Sequence, residues 1–198
     1  MEFITITGHK GGVGKTMTAI HLATFFSEWG RTLLVDGDPN RTALSWQQRG
    51  RLPFEVLDEA RFFQEGSAAD YTVIDTPARP ATEDLQDLAA NCDLLVLPTV
   101  PDILSLESML EVARQVGNAS YKALIAMAPP RPNQEGELMR QELRDNGVPV
   151  FKTMIRRTVG FQKAALAGIP IRDLPDSRQR VAWNDYKAVG DEVMELLQ

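Results

Sequence analysis

The run Lys10-Gly11-Gly12-Val13-Gly14-Lys15-Thr16, set directly behind the alternating apolar segment Phe3 to Thr7, constrains this chain more than any other feature. Gly11, Gly12 and Gly14 let the backbone turn tightly and aim successive N–H groups inward, and apolar residues then recur near helical spacing at Met17, Ile20, Leu22, Ala23 and Phe26. A strand, a glycine loop and a helix N-terminus in that order form a nest for phosphate, because unpaired N–H groups and the positive end of the helix dipole face the anion together. Lys15 then reaches the β/γ-phosphates of a triphosphate and Thr16 holds Mg²⁺, with Gly11, Gly12, Val13, Gly14 and Met17 completing the nucleotide loop. The usual spacing G-x-x-x-x-G-K-[ST] asks for glycine at position 9. The chain has His9 there and an additional lysine, Lys10.

The remaining sequence suits such a unit. Short apolar runs at Phe3–Thr7, Thr32–Val35, Tyr71–Ile74, Leu94–Pro98, Ala123–Met127 and Val150–Ile155, with a weaker one at Phe54–Leu57, alternate with helical patterns at Ala81–Ala90, Leu104–Val116, Glu135–Asn146 and Val181–Leu197. This order predicts a single α/β domain over residues 1–198, a mostly parallel sheet with helices on both faces. Near-continuous Val, Ile and Leu fits strands covered on both sides. No apolar stretch approaches the roughly 18 residues of a membrane span, and Met1 leads into a strand, so a cytoplasmic location is expected. The single cysteine, Cys92, has no partner for a disulfide or a C-x-x-C metal pair, and a buried structural role is expected for it.

Ligands of such sheets sit beyond the carboxyl ends of the strands. The first strand delivers the glycine loop, the second ends in Asp36-Gly37-Asp38-Pro39, and the strand at Tyr71 ends in Asp75-Thr76-Pro77. Asp75, behind Val73-Ile74, is placed to hold Mg²⁺ through a water ligand; D-T-P is also ordinary turn chemistry. D-G-D-P taken alone reads equally well as a β-turn.

The string K-G-G-V-G-K-T resembles the deviant Walker A box of the ParA/MinD family of P-loop NTPases, and D-x-D-P and D-T-P resemble that family's Walker A′ and Walker B segments in the same order. The resemblance implies an ATPase using ATP and Mg²⁺. In it Lys10 crosses an ATP-sandwiched homodimer to the partner's nucleotide, Asp38 orients the attacking water, and Asp36 supports the metal's surroundings. Relatives usually carry a second proline where this chain has Ala78. They often carry Asn where it reads Met127-Ala128-Pro129, so adenine recognition differs there. Pro170 and Ile171 match the family's adenine-flanking region; Gly168 followed by Pro170 is also an ordinary helix stop.

Small members of this type, ParF-like in plasmid partition or McdA-like in carboxysome positioning, bind nucleoid DNA without sequence preference as ATP dimers. They release it when a ParB-like or McdB-like adaptor stimulates hydrolysis. Net charge is −6, but Lys152 to Lys187 is locally basic, and Arg156, Arg157, Lys163, Arg172, Arg178, Arg180 and Lys187 are the candidate phosphate contacts. No helix-turn-helix extension precedes the glycine loop, so operator-specific recognition is not expected. A MinD-like membrane ATPase is the first alternative, opposed by the acidic polar face of Val189–Gln198. A metabolic synthetase on the same core is the second, opposed by Lys10.

Overall fold

The computed structural model describes residues 1–65 and 68–198. Six strands, β1 (Glu2–Ile6), β2 (Thr32–Asp36), β3 (Glu55–Asp58), β4 (Tyr71–Asp75), β5 (Leu94–Thr99) and β6 (Tyr121–Ile125), form one sheet in the order β3-β2-β4-β1-β5-β6. Every pairing is parallel. The helices are α1 (Lys15–Phe26), α2 (Thr42–Arg49), α3 (Glu59–Glu65), α4 (Thr82–Ala90), α5 (Ile103–Val116), α6 (Glu135–Asp145), α7 (Val159–Ala167), α8 (Ser177–Arg180) and α9 (Trp183–Leu196), with a 3₁₀ turn at Ile171–Asp173.

The period of two along each strand divides the core between the two faces. Leu94, Val96, Leu34, Val73, Ile4 and Ile6 point to the face packed by α1, α2, α7 and α9. Leu95, Leu97, Ala123 and Ile125 point the other way, under α4, α5 and α6. Leu33, Val35 and Leu57 share that second face in a separate cluster under α3. Cys92 packs beside the second cluster, and burial pushes its thiol up to about 11, so it is an inert apolar group at neutral pH.

The expected strand at Val150–Ile155 is not formed. That segment runs beside β6 and makes only isolated bridges, Ala123 to Val150 and Ala128 to Arg156. The cause is a competing set of acceptors on α9. The Glu192 carboxylate accepts from the N–H of Lys152 and of Thr153, both at 2.9 Å, and Asp185 accepts from Arg156 N–H at 3.1 Å. Backbone donors taken by buried carboxylates are lost to a strand ladder, and the sheet edge is closed against further pairing. The weaker candidate at Phe54–Leu57 does form, as the edge strand β3.

Two polar side chains tie α1 to the C-terminal part, Thr18 through the Tyr186 hydroxyl at 3.2 Å and His21. His21 is fully buried among Trp46, Phe161 and Tyr186, stacked on the tyrosine at 4.8 Å. Its Nε2 accepts from Ile171 N–H at 3.1 Å, which fixes Nδ1 as the donor to the Met17 carbonyl at 2.7 Å. Burial lowers its pKa to about 4, so it stays neutral.

Candidate functional site

The loop between β1 and α1 has the shape its glycines predict. Gly12 and Gly14 take φ of 77° and 96°, a left-handed region that a side chain would strain. Gly14 is the N-cap of α1 and has no side chain to bond the first N–H groups of the helix, which leaves them for a ligand. Lys15 is buried, with its Nζ 3.3 Å from the Lys10 carbonyl. Burial lowers its pKa, while Asp75 and Asp38 pull it back toward the charged form. A buried cation with two carboxylates in its vicinity fits the task of neutralising phosphate oxygens.

The acids lie on neighbouring strands. Asp36 and Asp75 are register partners across β2 and β4, and Asp75 is level with Ile6 on β1, just before the loop. Asp75 is fully buried and, among the described residues, neither carboxylate oxygen has a partner in hydrogen-bonding geometry. Burial raises its pKa to about 7; Asp36 and Asp38 add to the shift, and Thr16 and Lys15 offset part of it. An orphaned buried carboxylate beside Thr16 fits a divalent cation completed by water and phosphate oxygens, as Mg²⁺ prefers. Among the described residues no three His, Cys, Asp or Glu converge as an all-protein cage. Bound there by Thr16 and Asp75, Mg²⁺ would supply charge neutralisation for phosphoryl transfer.

Asp36 braces the loop. Its Oδ1 accepts from Asp38 N–H at 3.2 Å and its Oδ2 from Leu44 N–H at 2.9 Å, and the Arg41 guanidinium donates to its carbonyl. Both carboxylate oxygens are thus occupied in shaping the D-G-D-P turn and the start of α2. Asp38 is half-buried, and its Oδ1 accepts from the N–H and the side-chain amide of Asn40, each at 2.8 Å. Its second oxygen makes no hydrogen bond among the described residues.

Lys10 points away from Lys15. Its ammonium lies 3.1 Å from both oxygens of Asp102 and 2.7 Å from Ser105 Oγ, at the N-terminus of α5. Asp102 is itself the N-cap of that helix, accepting from Ser105 N–H at 2.8 Å. Beside this contact Ile103 and Leu104 are 66% and 64% exposed, apolar surface at the same end of the sheet as the glycine loop.

Residues 4–171 match the CobQ/CobB/MinD/ParA nucleotide binding domain. The chain belongs to this ParA/MinD family. Over 200 residues it is 32% identical to the "Maintenance of carboxysome distribution protein A" of Gloeobacter kilaueensis, covering 96% of this chain and 93% of the relative. Among solved structures, apo McdA of Cyanothece superposes with a TM-score of 0.73 at 15% identity, over 96% of this chain and 99% of that one. A putative plasmid partition protein of Borrelia burgdorferi bound to AMPPNP gives 0.74 at 17% identity, over 98% of each chain. These likenesses establish the P-loop NTPase fold of the ParA/MinD family for this chain.

Two groups of expected site residues lie largely in structural contacts. Pro170 and Ile171 are both buried, Ile171 fully, and α7 ends at Gly168 in a left-handed cap, so the pair is a helix stop packed in the core rather than a face for adenine. Met127 is 38% exposed beside the glycine loop, and its Cε would lie 3.9 Å from a Cβ built on Gly14. Of the basic candidates, Arg156 is bidentate to Asp185 at 2.6 and 2.7 Å and acts as a structural clamp between the β6-flanking segment and α9. Arg172 pairs with Glu28 and lies over Trp183 at 5.3 Å, and Arg178 pairs with Asp176. Arg157, Lys163, Arg180 and Lys187 remain exposed without an ion pair among the described residues.

The sequence pattern gave no sign that Asp102 and Ser105 would hold Lys10. A D-x-x-S capping signal stands in the sequence, but its tie to Lys10 is tertiary.

The raised pKa of Asp75 sets a pH test. A carboxyl whose folded pKa of about 7 exceeds its ordinary 3.8 binds its proton more tightly in the native state, so its ionisation subtracts stability as pH rises between those values. His21 slopes the other way between about 4 and 6.5, so the variant must be compared with the parent at each pH. In nucleotide-free protein, Asp75→Asn is expected to match wild type near pH 4. Its advantage should grow to at most ~4 kcal/mol above pH 7 in urea unfolding. A difference that stays flat from pH 5 to 8 would remove the shift.

Proposed function

We propose that this chain is an ATP-dependent positioning switch: it dimerises on binding MgATP, holds DNA without sequence preference, and lets go when an adaptor protein stimulates hydrolysis. The observation that carries this reading is the division of labour between two loop lysines. Lys15 is buried toward the phosphate nest, whereas Lys10 stands outside it, on a surface flanked by exposed Ile103 and Leu104. A solitary nucleotide binder has no use for the second cation; a dimer that buries this face against its copy does.

Lys163 on α7 and Arg180 on α8 lie on contacting elements, and Arg157 stands one residue before the Thr158 N-cap of α7. A second copy doubles whatever such a patch contributes, because linked phosphate contacts multiply in affinity. The 32% identity to a carboxysome distribution protein favours a protein compartment as cargo over a plasmid. The membrane alternative loses its means: the apolar face of α9, with Tyr186, Val189 and Val193, is spent against the core, and Asp191 and Glu195 stand on its exposed side. Among the described residues no helix is long and apolar enough to cross a bilayer.

Size-exclusion chromatography with and without MgATP, followed by retention on random-sequence DNA across a salt series, tests this reading. Dimer and DNA retention should appear together, only with MgATP, and retention should fall steeply with salt. A monomer in every nucleotide state overturns it.

A further inference from the structure

The sheet face opposite α1 is covered in two separate pieces, α3 over the β2–β3 edge and α4 to α6 over β5 and β6. Between them a groove of about 730 Å³ opens over β1 and β4. Phe3, Thr5 and Ile74 line its floor, and Phe62, Phe63 and Leu88 its flanks. Phe63 is 82% exposed, a large apolar side chain left at the mouth of an apolar groove. A small-molecule site encloses most of its ligand and would not leave its largest apolar group in water.

The charged lining has one sign. Glu59, Asp84 and Asp87 line the groove, all three are exposed, and no Lys or Arg lines it among the described residues. Such a surface repels nucleic acid and anionic lipid, and it offers little to a second copy of a chain with net charge −6. It attracts apolar anchors flanked by cations.

One end of the groove touches the catalytic loops. Gly37, between Asp36 and Asp38, lines it, as do Thr76 and Pro77, which follow Asp75. Gly37 N–H donates to the Asp75 carbonyl at 2.8 Å, and a Cβ on Gly37 would meet that carbonyl and Glu59 Oε1, each at 3.0 Å. Packing this close transmits a small displacement of Glu59 or Pro77 to both acid-bearing loops.

We infer that this groove docks an amphipathic segment of a partner protein, apolar side chains flanked by Lys or Arg, and that docking there acts on the loops carrying Asp38 and Asp75. The inference rests on the proposal that turnover is partner-stimulated.

The test uses the full chain with MgATP and two synthetic peptides with leucine at helical spacing, one with lysine and one with glutamate at the remaining positions. Binding is read by fluorescence anisotropy and turnover by phosphate release. The leucine–lysine peptide should bind wild type and raise turnover. Phe63→Ser should weaken that binding about tenfold or more, the loss expected from one buried phenylalanine. Asp84→Lys with Asp87→Lys should transfer preference to the leucine–glutamate peptide. Basal turnover, MgATP-induced dimerisation and melting temperature should stay at wild-type values in both variants.

Equal binding of the leucine–lysine peptide to wild type and both variants, or none to wild type, overturns the inference. Loss of the MgATP dimer in Phe63→Ser also overturns it, by giving the groove to a second copy. If wild type neither hydrolyses ATP nor dimerises, the functional proposal fails, while peptide binding and its charge reversal still decide the groove.

Discussion

Asp38→Ala is expected to bind MgATP within a few-fold of wild type and to lose turnover by about 10²- to 10⁴-fold, the range for removing a group that positions or accepts a proton in the transition state. Binding survives because the phosphate nest is built from Gly12, Gly14, Lys15 and the start of α1, none of which Asp38 touches by a hydrogen bond. Removing a carboxylate that helps raise the Asp75 pKa also eases ionisation of that buried acid, which favours a divalent cation. Alanine deletes the Asx turn to Asn40 as well as the free oxygen, so Asp38→Asn is the control; it keeps an acceptor for Asn40 and removes the charge. Turnover should stay low in both variants. Recovery in Asp38→Asn, with single-turnover phosphate release near wild type, would reduce Asp38 to a turn residue.

The pair Asp36 and Asp38 shows how far sequence reasoning reaches. D-x-D-P behind an apolar run located both acids at a strand's carboxyl end, and β2 ends at Asp36 as that pattern requires. The split between them, one oxygen pair spent on Asp38 and Leu44 N–H groups and one oxygen left open, depends on where α2 begins. The pattern of that stretch did not announce α2: its N-cap is Arg41 in a left-handed conformation and makes no side-chain cap. Similarly, Val150–Ile155 has every local mark of a strand, and its Phe151 and Ile155 N–H groups do reach β6, but Glu192, some 40 residues later on α9, takes those of Lys152 and Thr153 and breaks the ladder. Local pattern fixes periodicity and termini. Competition for backbone donors is settled by tertiary neighbours, and the same limit hid the contact between Lys10 and Asp102.

That contact supports a pair of variants with opposite effects. Lys10→Ala is expected to bind MgATP through Lys15 and yet fail to dimerise, with the dimer dissociation constant raised about 100-fold or more, because a desolvated cation facing phosphate is worth several kcal/mol at an interface. Asp102→Asn is expected to do the reverse. The amide oxygen still caps α5 through Ser105 N–H, so the helix is kept, while the carboxylate that holds Lys10 on its own protomer is gone. The pair is solvent-exposed, with side chains 36% and 43% accessible, so its grip is at most ~1 kcal/mol and the gain in dimer affinity at most about fivefold. Raising the salt concentration should shrink that gain, since screening loosens the Lys10–Asp102 contact of the wild type, which Asp102→Asn lacks. Sedimentation velocity across a protein concentration series, with MgATP at low and high salt, reads both constants. If Asp102→Asn weakens the dimer as Lys10→Ala does, Asp102 belongs to the interface itself and the lysine is positioned by it rather than withheld.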